Sequence, residues 1–252
     1  FHLFGGYNMR DSIPFTKPYI DSSIISAVSE CLESGWITTG NKVIELQTWI
    51  EDKFRVKKSL CVNSWTDGAK LVLDWFGVGP GDEVIVPVMT YAASANVVEH
   101  CGAKVVFVDI GDDLNIDVSK ICAAITSKTK AIIPVDVRGV SCDYNVILDI
   151  VKNPEIIDMF SPTTEVQRQL GRILVLSDAA HSIGAKYGDD YACNYSDITV
   201  FSLHAVKNIT SAEGGIICLN LPSPFDNEEV YNRLRIIGGH GQTKSAFDKY
   251  TL

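Results

Sequence analysis

Residues 60–87 of the chain read L-C-V-N-S-W-T-D-G-A-K-L-V-L-D-W-F-G-V-G-P-G-D-E-V-I-V-P. A short apolar run at Leu60–Asn63 is followed by an amphipathic segment at Asp67–Phe76 and by a second apolar run at Glu83–Pro87. This order predicts a strand, a helix and a strand, because short apolar runs indicate buried strands and a 3.6-residue period indicates a helix. Strand, helix and strand in this order are typical of a parallel sheet covered by helices.

The same alternation continues along the chain. Further strands are predicted at Lys104–Asp109, Ala131–Val135, Ile173–Asp178, Ile198–Ser202 and Gly215–Asn220. Further helices are predicted at Asp21–Glu33, Val43–Phe54, Ala92–His100, Asp117–Ile125, Tyr144–Lys152 and about Asn227–Ile237. Asp21 or Ser22 is a candidate cap for the first helix and Asn41 for the second. Residues 153–171 have no strong period and predict a surface excursion. The fold expected is α/β, with a mainly parallel central sheet and helices on both faces.

Composition indicates an ordinary globular protein. The chain has 252 residues, a net charge of −9 and 46% hydrophobic residues. The acidic balance, without a basic cluster, disfavours nucleic acid and anionic membranes as partners. No apolar run approaches the roughly 18–20 residues that a membrane span requires. We therefore expect a cytoplasmic protein.

The seven cysteines are scattered and never form a C-x-x-C pair. Buried free thiols in a reducing cytosol are the favoured interpretation. Metal binding at Cys101 beside His100 is the alternative, but a tetrahedral site needs more ligands than this pair supplies. The sequence predicts no metal site.

Ligands of open α/β sheets gather at the carboxyl ends of the strands, so polar residues there are candidates for function. The first such segment is residues 63–69, where a strand leads into a helix. Free backbone N–H groups and the helix dipole suit a phosphate, with the Thr66 hydroxyl as a further donor. Alternatively, Ser64 or Thr66 simply caps the helix.

The second segment is residues 176–182, where an apolar strand ends at Asp178. A poorly solvated carboxylate needs a cationic or N–H partner, and a protonated pyridine nitrogen would be one. The alternative is that Asp178 caps the following turn.

The third segment is residues 201–215, which places Lys207 among hydroxyl side chains and a histidine before a Gly-Gly turn. Most lysines are solvated surface residues. A lysine in a partly dry site, however, has a lowered pKa and can form an imine. A phosphate turn, an acid for a ring nitrogen and such a lysine are together the groups that pyridoxal 5'-phosphate requires.

The sequence also resembles the DegT/DnrJ/EryC1/StrS family of sugar aminotransferases, which are fold-type-I pyridoxal-phosphate enzymes. The motifs that carry the resemblance are S-G-W-I-T-T-G at 34–40, G-P-G-D-E-V-I-V-P at 79–87, T-Y-A-A-S-A-N at 90–96, D-A-A-H at 178–181 and F-S-L-H-A-V-K-N-I-T-S-A-E-G-G at 201–215. The last motif is the most specific, because it holds the family's lysine in its usual surroundings.

The resemblance implies three catalytic residues. Lys207 would bind the cofactor covalently and then move a proton between the substrate carbon and the cofactor. Asp178 would keep the pyridine nitrogen protonated. His181 stands where the family often has Gln, near the ring hydroxyl.

The resemblance also implies the residues that hold the cofactor. Ser202 and Thr66, with the backbone N–H groups of Trp65 and Thr66, would bind the phosphate. Tyr91 would stack on the ring, as aromatic faces do. The alternative for Tyr91 is a core aromatic residue after a strand.

The chain departs from the family at several points. Trp65 replaces a small residue, and Val137-Arg138-Gly139 replaces an aromatic-Gly step, which leaves Arg138 without an explanation. The family continues beyond the point that corresponds to Leu252. We therefore expect an N-terminal arm at 1–20 and a cofactor-binding large domain at 21–252, with most of a C-terminal small domain missing.

The family's activity suggests transfer of an amino group, with glutamate as the expected donor, to a nucleotide-linked keto sugar by a homodimer. One alternative is a non-catalytic or regulatory homologue that binds the cofactor. Another is a sugar dehydratase of the same family, but that branch carries His where this chain has Lys207.

Overall fold

The computed structural model describes residues 16–244. Its strands are β1 (Lys58–Val62), β2 (Glu83–Pro87), β3 (Lys104–Val108), β4 (Thr129–Ile132), β5 (Leu174–Asp178), β6 (Lys186–Tyr187), β7 (Asp190–Tyr191), β8 (Ile198–Ser202) and β9 (Gly215–Leu219). Its helices are α1 (Ser22–Glu33), α2 (Asn41–Phe54), α3 (Trp65–Phe76), α4 (Ala92–His100), α5 (Val118–Ala124), α6 (Tyr144–Lys152), α7 (Pro154–Met159), α8 (Glu165–Leu170) and α9 (Asn227–Gly238).

The main sheet follows the order β1-β9-β8-β5-β4-β2-β3 within the described residues. The pairs from β3 to β8 are parallel, whereas β9 is antiparallel to both β8 and β1. The prediction of a mainly parallel sheet is confirmed. The reversed strand β9 begins at the edge where β1 and β8 end, and it pairs Gly215 with Val62 and with Ser202.

Helices cover both faces of this sheet. Side chains alternate along β9 and pack against helices on opposite faces. Ile217 and Leu219 belong to the large core that includes α3, whereas Ile216 and Cys218 pack with Ile50 of α2. The two buried faces explain why the strand sequences are continuously apolar rather than alternating.

Among the described residues, side chains cap the starts of all the α-helices except α2 and α4. Asp21 caps α1 as predicted, because its carboxylate accepts hydrogen bonds from the backbone N–H groups of Ser23 and Ile24. The prediction that Asn41 caps α2 is wrong. The cap is Gly40, and a Cβ there would clash with the indole of Trp36 unless that side chain moved.

The stretch at 153–171 lies mostly at the surface, as predicted, but it has regular structure that the sequence did not indicate. This stretch forms α7 and α8, and Gln167 of α8 is fully buried. The Gln167 side-chain amide donates to the carbonyls of Phe76 and Gly77, which end α3, at 3.0 and 3.3 Å. Helices of six residues are too short to show a period in the sequence, so the pattern missed them.

Several smaller points complete the comparison. The strand predicted at Ala131–Val135 is β4 at Thr129–Ile132, and the short hairpin of β6 and β7 was not predicted. All seven cysteines are free, and Cys142, Cys193 and Cys218 are buried. The predicted N-terminal arm lies largely outside the described residues. Between residues 16 and 244, no helix is long and apolar enough to cross a membrane.

Candidate active site

The predicted functional residues converge at the edge of the sheet where the parallel strands end. The loops that follow β4, β5 and β8 line a pocket of about 240 Å³ there. Its lining consists of Arg138, His181, Val206, Lys207 and Asn208. The sequence predicted His181 and Lys207 at this edge, and the structure brings them together.

Asp178 ends β5 and is buried, with 4% of its surface exposed. One carboxylate oxygen accepts a hydrogen bond from the Ser94 hydroxyl at 2.7 Å, and the other accepts one from the backbone N–H of Ala180 at 3.2 Å. Burial raises the pKa of this carboxyl to about 6, although the Ser94 hydrogen bond opposes the shift. Asp178 therefore caps its turn, as the alternative interpretation held, and still presents a costly buried charge that a cationic ligand would stabilise.

Ser94 is a residue that sequence reasoning missed. It is fully buried in the first turn of α4, and its hydroxyl lies 2.6 Å from that of Thr90. The signal was present, because both residues belong to the motif at 90–96. What the motif did not reveal is that α4 points this hydroxyl at Asp178, on a strand distant in sequence.

Lys207 lies on the loop between β8 and β9, which is closed at its base by backbone hydrogen bonds. The N–H of Leu203 donates to Gly214 at 2.8 Å, and the N–H of Ser211 donates to Leu203 at 3.0 Å. Burial lowers the pKa of Lys207, and the negative charge of Asp178 opposes the shift. A larger fraction of the amine is therefore neutral, as a nucleophile requires.

His181 follows β5 and contacts the loop after β4. Its Nδ1 accepts a hydrogen bond from the backbone N–H of Arg138 at 3.4 Å. Burial lowers the pKa of His181, and the positive charge of Lys207 lowers it further. The imidazole is thus neutral over more of the pH range, with Nε2 as its remaining donor.

The turn that was predicted to bind a phosphate lies at the start of α3. Ser64 is the cap, since its hydroxyl accepts from the N–H of Asp67 at 3.0 Å. The N–H of Gly68 donates to the carbonyl of Ser64, so among residues 16–244 the N–H groups of Trp65 and Thr66 remain without an acceptor. Two adjacent free donors at a helix N-terminus suit an anion.

Two further observations fit a phosphate group at this turn. A Cβ on Gly215 would lie 2.6 Å from backbone atoms of Ser64 and 2.8 Å from the nitrogen of Trp65, so only glycine lets β9 approach this closely. The indole Nε1 of Trp65 is buried without a hydrogen-bond partner in the described part of the chain. Buried indole N–H groups normally have a partner, so this region offers more donors than the described residues satisfy.

The remaining predicted residues lie at the same edge. Ser202 ends β8 and is buried, and its hydroxyl accepts from the N–H of His204 at 3.3 Å. Thr66 is half-buried in the first turn of α3. Tyr91 immediately precedes α4 and is 82% exposed, so the alternative of a core aromatic residue is wrong. Its ring is free to receive a stacking partner.

A buried network supports the floor of the pocket. The carboxylate of Asp136 accepts hydrogen bonds from the N–H of Cys142 at 3.0 Å, the hydroxyl of Tyr144 at 2.8 Å and the hydroxyl of Ser182 at 2.7 Å. The Tyr144 hydroxyl also lies 2.5 Å from that of Ser177. Sequence reasoning missed this network, because its members come from segments up to 46 residues apart. It joins the loops that carry Arg138 and His181.

Comparison with known proteins agrees with this geometry. The chain is 35% identical over 240 residues to the spore coat polysaccharide biosynthesis protein SpsC of Bacillus subtilis. It is 39% identical over 243 residues to a UDP-4-amino-4-deoxy-L-arabinose–oxoglutarate aminotransferase of Shewanella sediminis. These matches cover 95% and 96% of the chain but 56% of each relative, so the chain spans little more than half their length.

The chain is also similar to solved structures of sugar aminotransferases. The putative sugar aminotransferase Spr1654 of Streptococcus pneumoniae in its PMP form has a TM-score of 0.89 and 42% identity, covering 96% of this chain and 60% of that one. Its PLP form has a TM-score of 0.88 and 42% identity, covering 93% and 59%. The predicted cofactor, pyridoxal phosphate, is thereby confirmed as the cofactor of these relatives. The sequence pattern of the DegT/DnrJ/EryC1/StrS aminotransferase family matches residues 18–159 and 163–252, and the chain belongs to that family.

Proposed function

We propose that the protein to which this chain belongs is a pyridoxal-phosphate-dependent aminotransferase. It transfers an amino group from an amino acid, for which we propose glutamate, to a nucleotide-linked keto sugar. The observation that carries the proposal is that Asp178 and Lys207 follow neighbouring strands at the same edge of the sheet. Asp178 ends β5, and Lys207 lies on the loop after the adjacent parallel strand β8, near enough that the charge of each acts on the pKa of the other.

Two residues would hold protons, Asp178 at the ring nitrogen and Lys207 beside the reacting carbon. Bound pyridoxal phosphate supplies an electron sink for the carbon that carries the amino group. The Asp178 carboxylate would hold the proton on the ring nitrogen, because a buried carboxylate is stabilised by a cation. The Lys207 amine, once free, would move a proton from the substrate carbon to the cofactor, since its lowered pKa favours the neutral form.

The other predicted residues would bind and orient the cofactor. The N–H groups of Trp65 and Thr66 and the hydroxyls of Thr66 and Ser202 would bind the phosphate. The exposed Tyr91 would cover one face of the ring, and Nε2 of His181 would donate a hydrogen bond to the ring oxygen. These roles are consistent with the position of all five residues at one edge of the sheet.

The substrate class rests on the relatives. One has a printed name that includes UDP-4-amino-4-deoxy-L-arabinose and oxoglutarate, and another takes part in polysaccharide biosynthesis. Oxoglutarate is the product that glutamate leaves after it donates its amino group. A nucleotide-linked keto sugar and glutamate are therefore the pair that we propose for this protein, acting as a cytoplasmic homodimer.

Absorbance tests the cofactor assignment. Full-length protein mixed with pyridoxal phosphate should gain the absorbance band of a lysine-bound cofactor, and Lys207→Ala should lack it. Lys128→Ala is the matched control, because Lys128 is an exposed lysine at the amino end of β4. A wild-type spectrum that stays unchanged would rule out the assignment.

Catalysis needs a second measurement. Addition of glutamate without an acceptor should convert the loaded wild-type protein to its aminated form and release oxoglutarate. Cofactor binding without this conversion would instead support the non-catalytic alternative. Light scattering on the same sample should give the mass of a dimer, and a monomer would contradict the proposed homodimer.

A further inference from the structure

Arg138 is the charged pocket residue for which the proposed function gives no role. Its side chain is exposed and lines the pocket together with Lys207 and His181. The backbone N–H of Arg138 is bonded to His181, but its guanidinium makes no ion pair with any residue between 16 and 244. In a chain with a net charge of −9, a free guanidinium beside a lysine marks a place that attracts an anion.

The backbone at Arg138 adds a second observation. Its φ of 56° and ψ of 21° are in the left-handed region, which costs a residue with a side chain free energy relative to glycine. Hydrogen bonds on both sides hold this conformation. The N–H of Val137 donates to the Asn115 side chain at 3.1 Å, and the N–H of Gly139 donates to the carbonyl of Asp136 at 3.2 Å. Such strain is found at functional sites, where the surrounding structure enforces it.

We propose that Arg138 binds a carboxylate of the amino donor and so contributes to the choice of donor; this rests on the proposed function. A guanidinium presents two parallel N–H donors that match the two oxygens of a carboxylate. The donor's amine must come to the part of the pocket where Lys207 lies, and its carboxylates are only a few bonds from that amine. The diphosphate of a nucleotide sugar would lie a whole sugar ring away from the reacting carbon, so the position favours the carboxylate.

The test measures binding rather than turnover. Glutarate has both carboxylates of glutamate but no amine, and calorimetry can follow its binding to the full-length, cofactor-loaded protein. Arg138→Gly should weaken this binding by about ten- to a hundredfold, the usual effect of losing a charge-assisted hydrogen-bonded pair. Arg138→Lys keeps the charge but loses the paired donors, so its binding should be intermediate.

Glycine is the informative substitution, because it removes only the side chain. It retains the backbone N–H that reaches His181, and it adopts the left-handed conformation without strain. Arg138→Gly should therefore raise the melting temperature of the protein by about 2–4 °C while it weakens glutarate binding. A gain in stability with a loss of binding is not expected of a residue that only supports the fold.

Arg55 offers a matched control. It is also an exposed arginine in the left-handed region, with φ of 59°, but it ends α2 and does not line the pocket. Arg55→Gly should raise the melting temperature to a similar extent and leave glutarate binding unchanged.

Three outcomes separate this inference from the proposed function. If wild-type protein binds the cofactor and accepts an amine from glutamate, but Arg138→Gly binds glutarate normally, the role of Arg138 is wrong and the function stands. If Arg138→Gly loses affinity for uridine diphosphate instead of glutarate, Arg138 binds the nucleotide and this inference is overturned. If wild-type protein neither binds the cofactor nor accepts an amine, the proposed function itself fails.

Discussion

At the scale of single residues, the main feature of the site is the buried negative charge of Asp178. Asp178 is a carboxylate that the fold has removed from water and given one hydroxyl and one backbone N–H. Two hydrogen bonds stabilise the carboxylate less than water would, and burial therefore raises its pKa to about 6. A cost of this kind is typical of residues at functional sites, in line with the proposed role of Asp178 at the ring nitrogen.

This raised pKa makes stability depend on pH. Between its ordinary value and about 6, the folded protein keeps a proton that the unfolded chain has lost. The contribution of Asp178 to stability therefore falls as the pH rises from about 4 to about 6. Asp178→Asn does not titrate, so without cofactor its free energy of unfolding should gain about 3 kcal/mol relative to wild type over this interval.

Urea unfolding of both proteins at several pH values would measure this difference. Because all other titrating groups are common to the two proteins, their effects largely cancel. A difference that is constant with pH would show that Asp178 is already ionised at pH 4 in the folded protein.

At the scale of elements, the phosphate turn requires the start of α3 and the start of β9 to touch. Gly215→Ala would place a methyl group 2.6 Å from backbone atoms of Ser64, where nothing can yield except the two elements themselves. We expect the free energy of unfolding to fall by about 1–3 kcal/mol, and cofactor affinity to fall as well because the two free N–H groups move.

Gly79→Ala is the control for this substitution. A Cβ on Gly79 meets only the carbonyl oxygen of Cys101, at 3.9 Å, and so fits without displacement. Thermal unfolding and cofactor titration of both variants test the prediction. Equal behaviour of the two variants would mean that the contact between α3 and β9 is not needed.

Elements also show how far the sequence could predict this protein. The strands that carry Asp178 and Ser202 were predicted with the correct ends, since their apolar runs stop at polar residues. The reversed direction of β9 was not predicted, because it depends on which strands become neighbours. The Asp136 network was missed for the same reason, and α8 because six residues are too few to show a period.

At the scale of the whole molecule, the two edges of the sheet differ in whether their charged residues form ion pairs. The amino-terminal edge pairs its buried charges. Arg172 and Asp197 form two hydrogen bonds of 2.7 and 2.8 Å just before β5 and β8, and Lys130 at the start of β4 lies 3.7 Å from Asp82. At the carboxyl-terminal edge, neither Arg138 nor Asp178 forms an ion pair with another residue between 16 and 244. The paired charges thus lie at the edge opposite the proposed site.

Breaking a pair at the amino-terminal edge should harm stability but not the site. Arg172→Met leaves Asp197 buried without its cation, and we expect the free energy of unfolding to fall by about 3–5 kcal/mol. The double variant Arg172→Met, Asp197→Leu removes both charges and should recover most of the loss. Urea unfolding measures both effects, and folded Arg172→Met should bind the cofactor normally. A double variant no more stable than the single one would contradict this account.

The closed base of the loop between β8 and β9 has an evolutionary consequence. Backbone hydrogen bonds of Leu203, Ser211 and Gly214, together with the Thr210 hydroxyl, close the base of this loop, and none of them involves the side chain of Lys207. Position 207 can therefore change without disturbing the sheet beneath it. In evolution, a substitution in this loop can therefore change the reaction while the sheet and its folding are conserved.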